Sequence, residues 1–137
     1  MTEKNDLFLI RDAVKEDYNF VFSTFLRGLY YGDPSFTRVD KALFMKHYHD
    51  VIETLLNHVD TVVKVAALKE DPEVILGYSI LSHTRLEWVF VKKAWRQIGV
   101  AKSLIPDYIL TTSHLTEIGE VILKKHPSII FDPFNLL

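Results

Sequence analysis

Hydrophobic residues change their spacing along the chain, and this change predicts which segments are strands and which are helices. Continuous apolar runs predict strands, whereas apolar residues that recur every three or four positions predict helices with one buried face. In the first part of the chain, the predicted order is a strand over 7–10, helices over 15–31 and 40–57, and strands over 61–68, 74–82 and 86–91. The polar residues 70–73 predict a reverse turn, so the strands on either side of it form an antiparallel hairpin.

The last part of the chain predicts shorter elements. A helix over residues 98–106 is followed by a strand or loop over 110–114, a helix over 116–125 and a strand over 128–131. The helix over 116–125 ends before Pro127, because the residue preceding a proline disfavours helical angles. No repeat or linker interrupts this order, so residues 1–137 are predicted to form a single domain of mixed α and β structure.

The composition indicates that the chain can form a hydrophobic core, and it excludes some kinds of catalytic and metal-binding site. With 48% hydrophobic residues among 137, the chain can bury a core of its own. It has no cysteine, which excludes a thiolate nucleophile and a cysteine-ligated zinc site. His47 and His49 lie two positions apart on a predicted helix and so point to different faces, and the other histidines are scattered. We therefore predict no metal site.

The charge and the amino-terminal residues bear on partners and location. The 16 basic and 18 acidic residues give a formal net charge of −2, so a nucleic-acid partner is not predicted. The first residues are polar and of mixed charge, and no segment approaches the roughly 20 apolar residues that a membrane span needs. We expect a cytoplasmic protein without a membrane partner.

Residues 86–104 combine a buried strand, a turn and the start of a helix. A glycine at position 99 lets the backbone approach a bulky anion, because no side chain intervenes. The first amides of the following helix have no partner within the helix and lie at the positive end of its dipole. Together these features predict a pyrophosphate site. The alternative is that Gly99 only permits a tight connection between strand and helix.

This segment resembles motif A of the GNAT family of N-acetyltransferases. The matching positions are Leu86, Val89, Val91, Arg96, Gly99, Ala101 and Leu104. Two further matches occur in the family's order, at residues 10–13 with Asp17 and at residues 74–78, so the resemblance covers about residues 7–115. It implies an α+β fold with a central, mostly antiparallel sheet flanked by helices. The chain departs from the family in its carboxyl-terminal part, where the final strand pair is predicted to be shortened to one strand at 128–131. The second helix and residues 130–134 also resemble short GNAT-like proteins of tailed bacteriophages.

The resemblance implies acetyl-CoA as the cofactor. In this family the fourth and fifth strands part and the pantetheine arm lies between them, which here would place it along the backbone of Val89, Phe90 and Val91. The pyrophosphate would be held by the turn and the first residues of the helix. These residues are Arg96, Gln97, Ile98, Gly99, Val100, Ala101 and Lys102.

Acetyl transfer to an amine needs a base for the ammonium proton and an acid for the departing thiolate. By resemblance, Glu87 is the candidate base. It lies on the strand, and its side chain is expected on the same face as those of Val89 and Val91. The alternative is a solvated or ion-paired glutamate at the edge of the sheet. The family's acid is a tyrosine on the fourth helix, but residues 116–125 contain none. Tyr108 and His114 are the candidate substitutes, although Tyr108 could instead fill the core and His114 could bond a loop.

Two functions follow from these residues. The first is an N-acetyltransferase that moves acetyl from acetyl-CoA to an unidentified primary amine of a small molecule or protein. The second is a catalytically degenerate relative that acts as a regulatory or structural interaction module. The short carboxyl-terminal part leaves the acceptor side of the cleft incomplete, which a second copy of the chain in a homodimer, or another partner, would cover.

Overall fold

A six-stranded sheet forms the centre of the protein. The computed structural model describes residues 7–114 and 117–134. The strands are β1 (Phe8–Asp12), β2 (Thr61–Leu68), β3 (Asp71–Ser82), β4 (Arg85–Val91), β5 (Thr111–Thr112) and β6 (Ile130–Phe131), and the helices are α1 (Tyr18–Gly32), α2 (Lys41–Asn57), α3 (Val100–Leu104) and α4 (Glu117–Lys124). None of the helices in the described ranges has the length and apolar character needed to cross a bilayer.

The strands lie in the sheet in the order in which they occur in the chain. β1 to β4 are successively antiparallel, whereas β5 pairs with β4 and β6 pairs with β5 in parallel. The predicted fold class, a mostly antiparallel sheet flanked by helices, is confirmed.

Helices cover both faces of the sheet, because its strands alternate buried side chains between two cores. On one face, α1 and α2 pack against the sheet through residues such as Phe25, Ile52 and Tyr78. On the other face, α3 contributes Val100 and Leu104 to a core cluster. This division places the residues considered below on two different sides of the sheet.

Several predicted boundaries shift for local reasons. The predicted first helix begins as a 3-10 turn over Lys15–Asp17 before α1. β3 begins at Asp71 and the turn lies at residues 69–70, so the turn predicted over 70–73 is wrong in position. α3 is shorter than the helix predicted over 98–106, because Gly99 precedes it in a left-handed conformation and Ile105, before Pro106, is extended. Thr116, the first residue of the predicted helix over 116–125, lies outside the described residues.

Candidate functional site

A β-bulge in β4 determines where Glu87 lies. Ile80 of β3 pairs with Trp88 and Leu81 pairs with Leu86, so Glu87 is an extra residue in β4. The prediction that Glu87 shares the parity of Val89 and Val91 is therefore wrong. The bulge turns its side chain to the wall of a cavity on the side of α1 and α2.

β4 and β5 part immediately after the bulge. They pair only at Arg85 with Thr111 and at Leu86 with Thr112. The last bonds between the two segments join the amide of Ser113 to the carbonyl oxygen of Leu86 at 3.1 Å, and the Ser113 hydroxyl and His114 Nδ1 to the carbonyl oxygen of Glu87 at 3.1 Å and 3.0 Å. Beyond Glu87, no bond among the described residues joins β4 to the segment of β5, along the residues predicted to hold pantetheine.

Two cavities lie beside this point and share two lining residues. The larger one has a volume of about 650 Å³ and lies between α1, α2 and the bulge of β4, with Phe131 and Pro133 on its wall. The smaller one, of about 30 Å³, lies between β4 and α4, where Ile122 and Leu123 approach Trp88 and Val89. Glu87 and His114 line both cavities. A group in the narrow cavity and a ligand of the large cavity would therefore both lie beside these two side chains.

His114 is held in one orientation and one tautomer. Its Nδ1 lies 3.0 Å from the carbonyl oxygen of Glu87 and 2.8 Å from the Ser113 hydroxyl. The carbonyl oxygen of Glu87 can only accept hydrogen bonds, and the Ser113 hydroxyl already donates its hydrogen to that oxygen. The hydrogen therefore lies on Nδ1 of His114, and Nε2 keeps a free electron pair. We assign this tautomer from the bonding pattern.

The surroundings of His114 keep its ring neutral. The rings of Phe25 and Trp88 meet it edge-on, with centroids 5.8 Å and 6.0 Å away. Burial lowers the pKa of His114, and this effect outweighs the opposing influence of Glu87. A neutral imidazole with a free Nε2 can accept a proton, so the geometry suits a base better than the acid role predicted for this residue.

Arg85 is a charged neighbour that the sequence analysis missed. Its Nε lies 2.7 Å from Oε1 of Glu87, and both side chains are more than nine-tenths buried. The N–H direction misses the oxygen, so the contact is an ion pair without a hydrogen bond, and the guanidinium nitrogens and Oε1 have no hydrogen-bond partner. Two opposite charges in an otherwise apolar strand were the available signal. The alternative considered for Glu87, an ion-paired glutamate, thus also agrees with its position beside Arg85.

The turn after β4 has the open backbone that a bound anion needs. Gly99 has a φ of +93°, and a Cβ added to it would meet no atom within 4 Å. No side chain caps the start of α3, and none of the backbone bonds of turns in the described ranges uses the amides of residues 97–102. Arg96 turns back toward the sheet, where its Nε donates to the carbonyl oxygen of Val91 at 3.0 Å.

Tyr108 lies apart from this region, and a group of ligand-type residues lies on α2, where its member Asp50 also lines the large cavity. Tyr108 is 58% exposed, in the connection from α3 to β5, and lines neither cavity. His49, Asp50 and Glu53 bring potential ligand atoms within 4.8 Å of one another on the exposed face of α2. Surface carboxylates commonly cluster in this way without a metal, and the absence of a metal site stays a prediction.

The fold is shared with solved acetyltransferase structures. A candidate acetyl transferase from Pyrococcus furiosus superposes with a TM-score of 0.60 at 16% identity, covering 91% of this chain and 81% of that one. A candidate acetyltransferase from Clostridium difficile 630 gives 0.58 at 13% identity over 96% and 95%. An aminoglycoside acetyltransferase from an uncultured soil sample, solved with trehalose, gives 0.53 at 18% identity over 92% and 89%. No family model and no curated protein matches the chain. At these identities the likeness shows the fold, which is the GNAT fold that motif A predicted.

Proposed function

We propose that this protein is an N-acetyltransferase that transfers acetyl from acetyl-CoA to a primary amine. The observation that carries the proposal is that Glu87 and His114 line both cavities. The parted edge of β4 suits a thioester arm, and the large cavity suits an acceptor. The GNAT-like fold supports the same reaction class.

The residues present fit acetyl-CoA. The free amides of Gln97, Ile98, Gly99, Val100, Ala101 and Lys102 would bind its pyrophosphate. The open backbone edge of Val89, Phe90 and Val91 would bond the pantetheine arm as an added strand does, and the remaining nitrogens of Arg96 could meet a phosphate. The cavity of about 30 Å³ holds roughly one water molecule, so the thioester end would enter only when Ile122 and Leu123 move outward.

The chemistry of this chain's own side chains is proton removal and charge stabilisation. The carboxylate of Glu87 attracts the acceptor's ammonium group, and Nε2 of His114 accepts its proton, so that the free amine can attack the thioester carbonyl. Because Tyr108 lines neither cavity, we assign protonation of the departing thiolate to water rather than to that residue. Bound acetyl-CoA supplies the activated acetyl group.

The remaining parts of the proposal rest on the sequence. We place the reaction in the cytoplasm. We propose no nucleic-acid partner, because the net charge is close to neutral. A second copy of the chain stays the proposed cover for the acceptor side, and a tailed bacteriophage the proposed source. No observation on the described residues favours the interaction-module hypothesis.

A thermal shift experiment tests the cofactor. Acetyl-CoA at 100 times its dissociation constant should stabilise the wild type by about 2.7 kcal/mol. Gly99→Glu should abolish this shift, because it places a carboxylate where the pyrophosphate would lie. Gly99→Ala is the matched control, since it carries the same backbone strain with only a methyl group. A wild type without any shift at millimolar acetyl-CoA would remove the enzymatic interpretation.

Turnover tests the two site residues. With acetyl-CoA and a panel of primary amines, Glu87→Gln and His114→Gln should each lower kcat by about 10²-fold or more, the range typical of a positioned acid or base. Both variants should keep the acetyl-CoA thermal shift. Glu70→Gln, in the exposed turn before β3, is the control for a lost surface charge. Unchanged turnover in His114→Gln would reject the base assignment.

A further inference from the structure

The large cavity is lined by carboxylates and histidines. The carboxylates belong to Asp33, Asp50 and Glu87, the histidines are His47, His58 and His114, and no lysine or arginine is among the described lining residues. Apolar side chains such as Leu29 and Val51 fill much of the wall between them. Carboxylates in a partly enclosed space attract cations, because low-dielectric walls concentrate their field.

Glu87 gives an independent sign that a ligand belongs there. Its side chain is 9% exposed and lines the cavity. Oε1 is fully buried against Nε of Arg85, which balances its charge at 2.7 Å. The second oxygen is not among these fully buried atoms and has no hydrogen bond within the described part of the chain, so it is the oxygen that can accept a donor brought by a ligand.

Asp33 marks the other end of the same cavity. It follows α1 two turns after Phe25, whose ring contacts His114, and two helical turns span about 12 Å. Oδ1 of Asp33 accepts from the amide and hydroxyl of Ser35, at 3.0 Å and 2.8 Å, while its second oxygen has no bond in the described part of the chain. The cavity therefore has a carboxylate at each end and an apolar wall between them.

We infer that the acceptor is a dication with two amines separated by an apolar spacer, one amine reacting beside Glu87 and His114 while the other pairs with Asp33. This inference rests on the proposed function, whose acceptor it specifies. The apolar spacer would lie against Leu29 and Val51. A carboxylate-bearing acceptor would meet repulsion at the Asp33 end, whereas Arg85 offsets the charge of Glu87 at the other end.

Two amines of equal chain length test the inference. Diaminooctane has an amine at each end, and octylamine has one, so their difference isolates the second charge. In calorimetric titrations without acetyl-CoA, the wild type should bind diaminooctane about fivefold more tightly or better, the value of one partly exposed ion pair. In Asp33→Asn this preference should disappear, while the asparagine keeps the cap on Ser35. Glu70→Gln should retain the preference.

The outcomes separate the inference from the proposed function. Equal binding of the two amines by the wild type, or a preference that survives in Asp33→Asn, would overturn the dication inference. If both amines are then acetylated at equal rates, the acetyltransferase proposal stands without it. If the preference is present and depends on Asp33 but neither amine is acetylated, the dication inference stands and acetyl transfer fails.

Discussion

His114 is the residue whose surroundings most affect its chemistry. Its pKa is lowered by burial between Phe25 and Trp88, while Arg85 adds to the lowering and Glu87 opposes it. The unfolded chain therefore takes up this proton more readily than the folded protein. The stability contributed by the neutral ring is complete above the unfolded pKa of about 6.5 and is lost as the pH falls toward the folded pKa.

We therefore expect the free energy of unfolding of the wild type to fall below about pH 6.5, with a slope of up to about 1.4 kcal/mol per pH unit from this group. His114→Gln should have a shallower slope over the same range, and urea unfolding at several pH values between 7 and 5 would measure it. His47→Gln, with an exposed ring, is the control and should keep the wild-type slope. Parallel slopes in His114→Gln and the wild type would contradict this account.

At this scale the sequence predicted some features of the candidate site and missed others. The role of Gly99 in the turn could be predicted from the sequence, because a left-handed backbone between a strand and a helix favours glycine at that one position. The side of the sheet on which Glu87 lies could not be found by counting, because a single inserted residue reverses the alternation. Arg85 was missed because its importance comes from burial beside Glu87, which depends on how the strands pack.

The pairing of β3 with β4 depends on one position without a side chain. A Cβ on Gly77 would lie 2.4 Å from the carbonyl oxygen of Phe90 and 3.1 Å from the Cα of Val91. These are backbone atoms, so the strand itself would have to move. We expect Gly77→Ala to lower the free energy of unfolding by about 1–3 kcal/mol, measured by urea denaturation.

Gly99→Ala is the comparison, because its methyl group meets no neighbouring atom. It should lower the free energy of unfolding by about 1–2 kcal/mol from backbone strain alone. A smaller loss in Gly77→Ala than in Gly99→Ala would contradict the clash.

The start of α1 is fixed to β1 by one ion pair. Arg11 donates to both oxygens of Asp17, at 2.7 Å and 3.0 Å, and Asp17 also accepts from the amide of Val14 at 2.8 Å. The hydrogen bond from Arg11 is the main cause that lowers the pKa of Asp17. This contact gives a physical reason for the first of the two additional GNAT-like matches, residues 10–13 with Asp17.

We expect Asp17→Asn to lower the free energy of unfolding by about 1.5–3 kcal/mol at pH 7. Because the folded pKa of Asp17 lies below its unfolded value, this contribution is present above about pH 4 and is lost as the pH falls through the folded pKa. The difference between the wild type and Asp17→Asn should therefore narrow on acidification, which urea midpoints at pH 7 and below pH 4 would measure. A pH-independent difference would show that the charge of Asp17 contributes nothing.

Elements were predicted best where their periodicity was long. β2 has the predicted bounds, and α2 begins one residue later than predicted, capped by Asp40. The short elements after β4 were less well predicted, because five residues of α3 contain too few turns to show a period. The parting of β4 and β5 came only from the family resemblance, since strand neighbours far apart in the sequence leave no local pattern.

In the whole molecule, the sheet separates the two proposed binding regions. The turn before α3 belongs to the core face on one side of the sheet, and the cavity between α1 and α2 lies on the other side. Among the described residues, Glu87 and His114 are those that line both cavities. Changes at Gly99 and Asp33 should therefore act independently on binding.

A double-mutant cycle tests this separation. Calorimetry on the wild type, Gly99→Glu, Asp33→Asn and the double variant would give affinities for acetyl-CoA and for diaminooctane, each titrated alone. We expect Gly99→Glu to weaken only acetyl-CoA and Asp33→Asn to weaken only diaminooctane, with the two changes adding within about 0.5 kcal/mol. A coupling above about 1 kcal/mol would mean that the two regions share a moving element. The candidate is α4, because it closes the narrow cavity against β4 beside Glu87 and His114, which also line the large cavity.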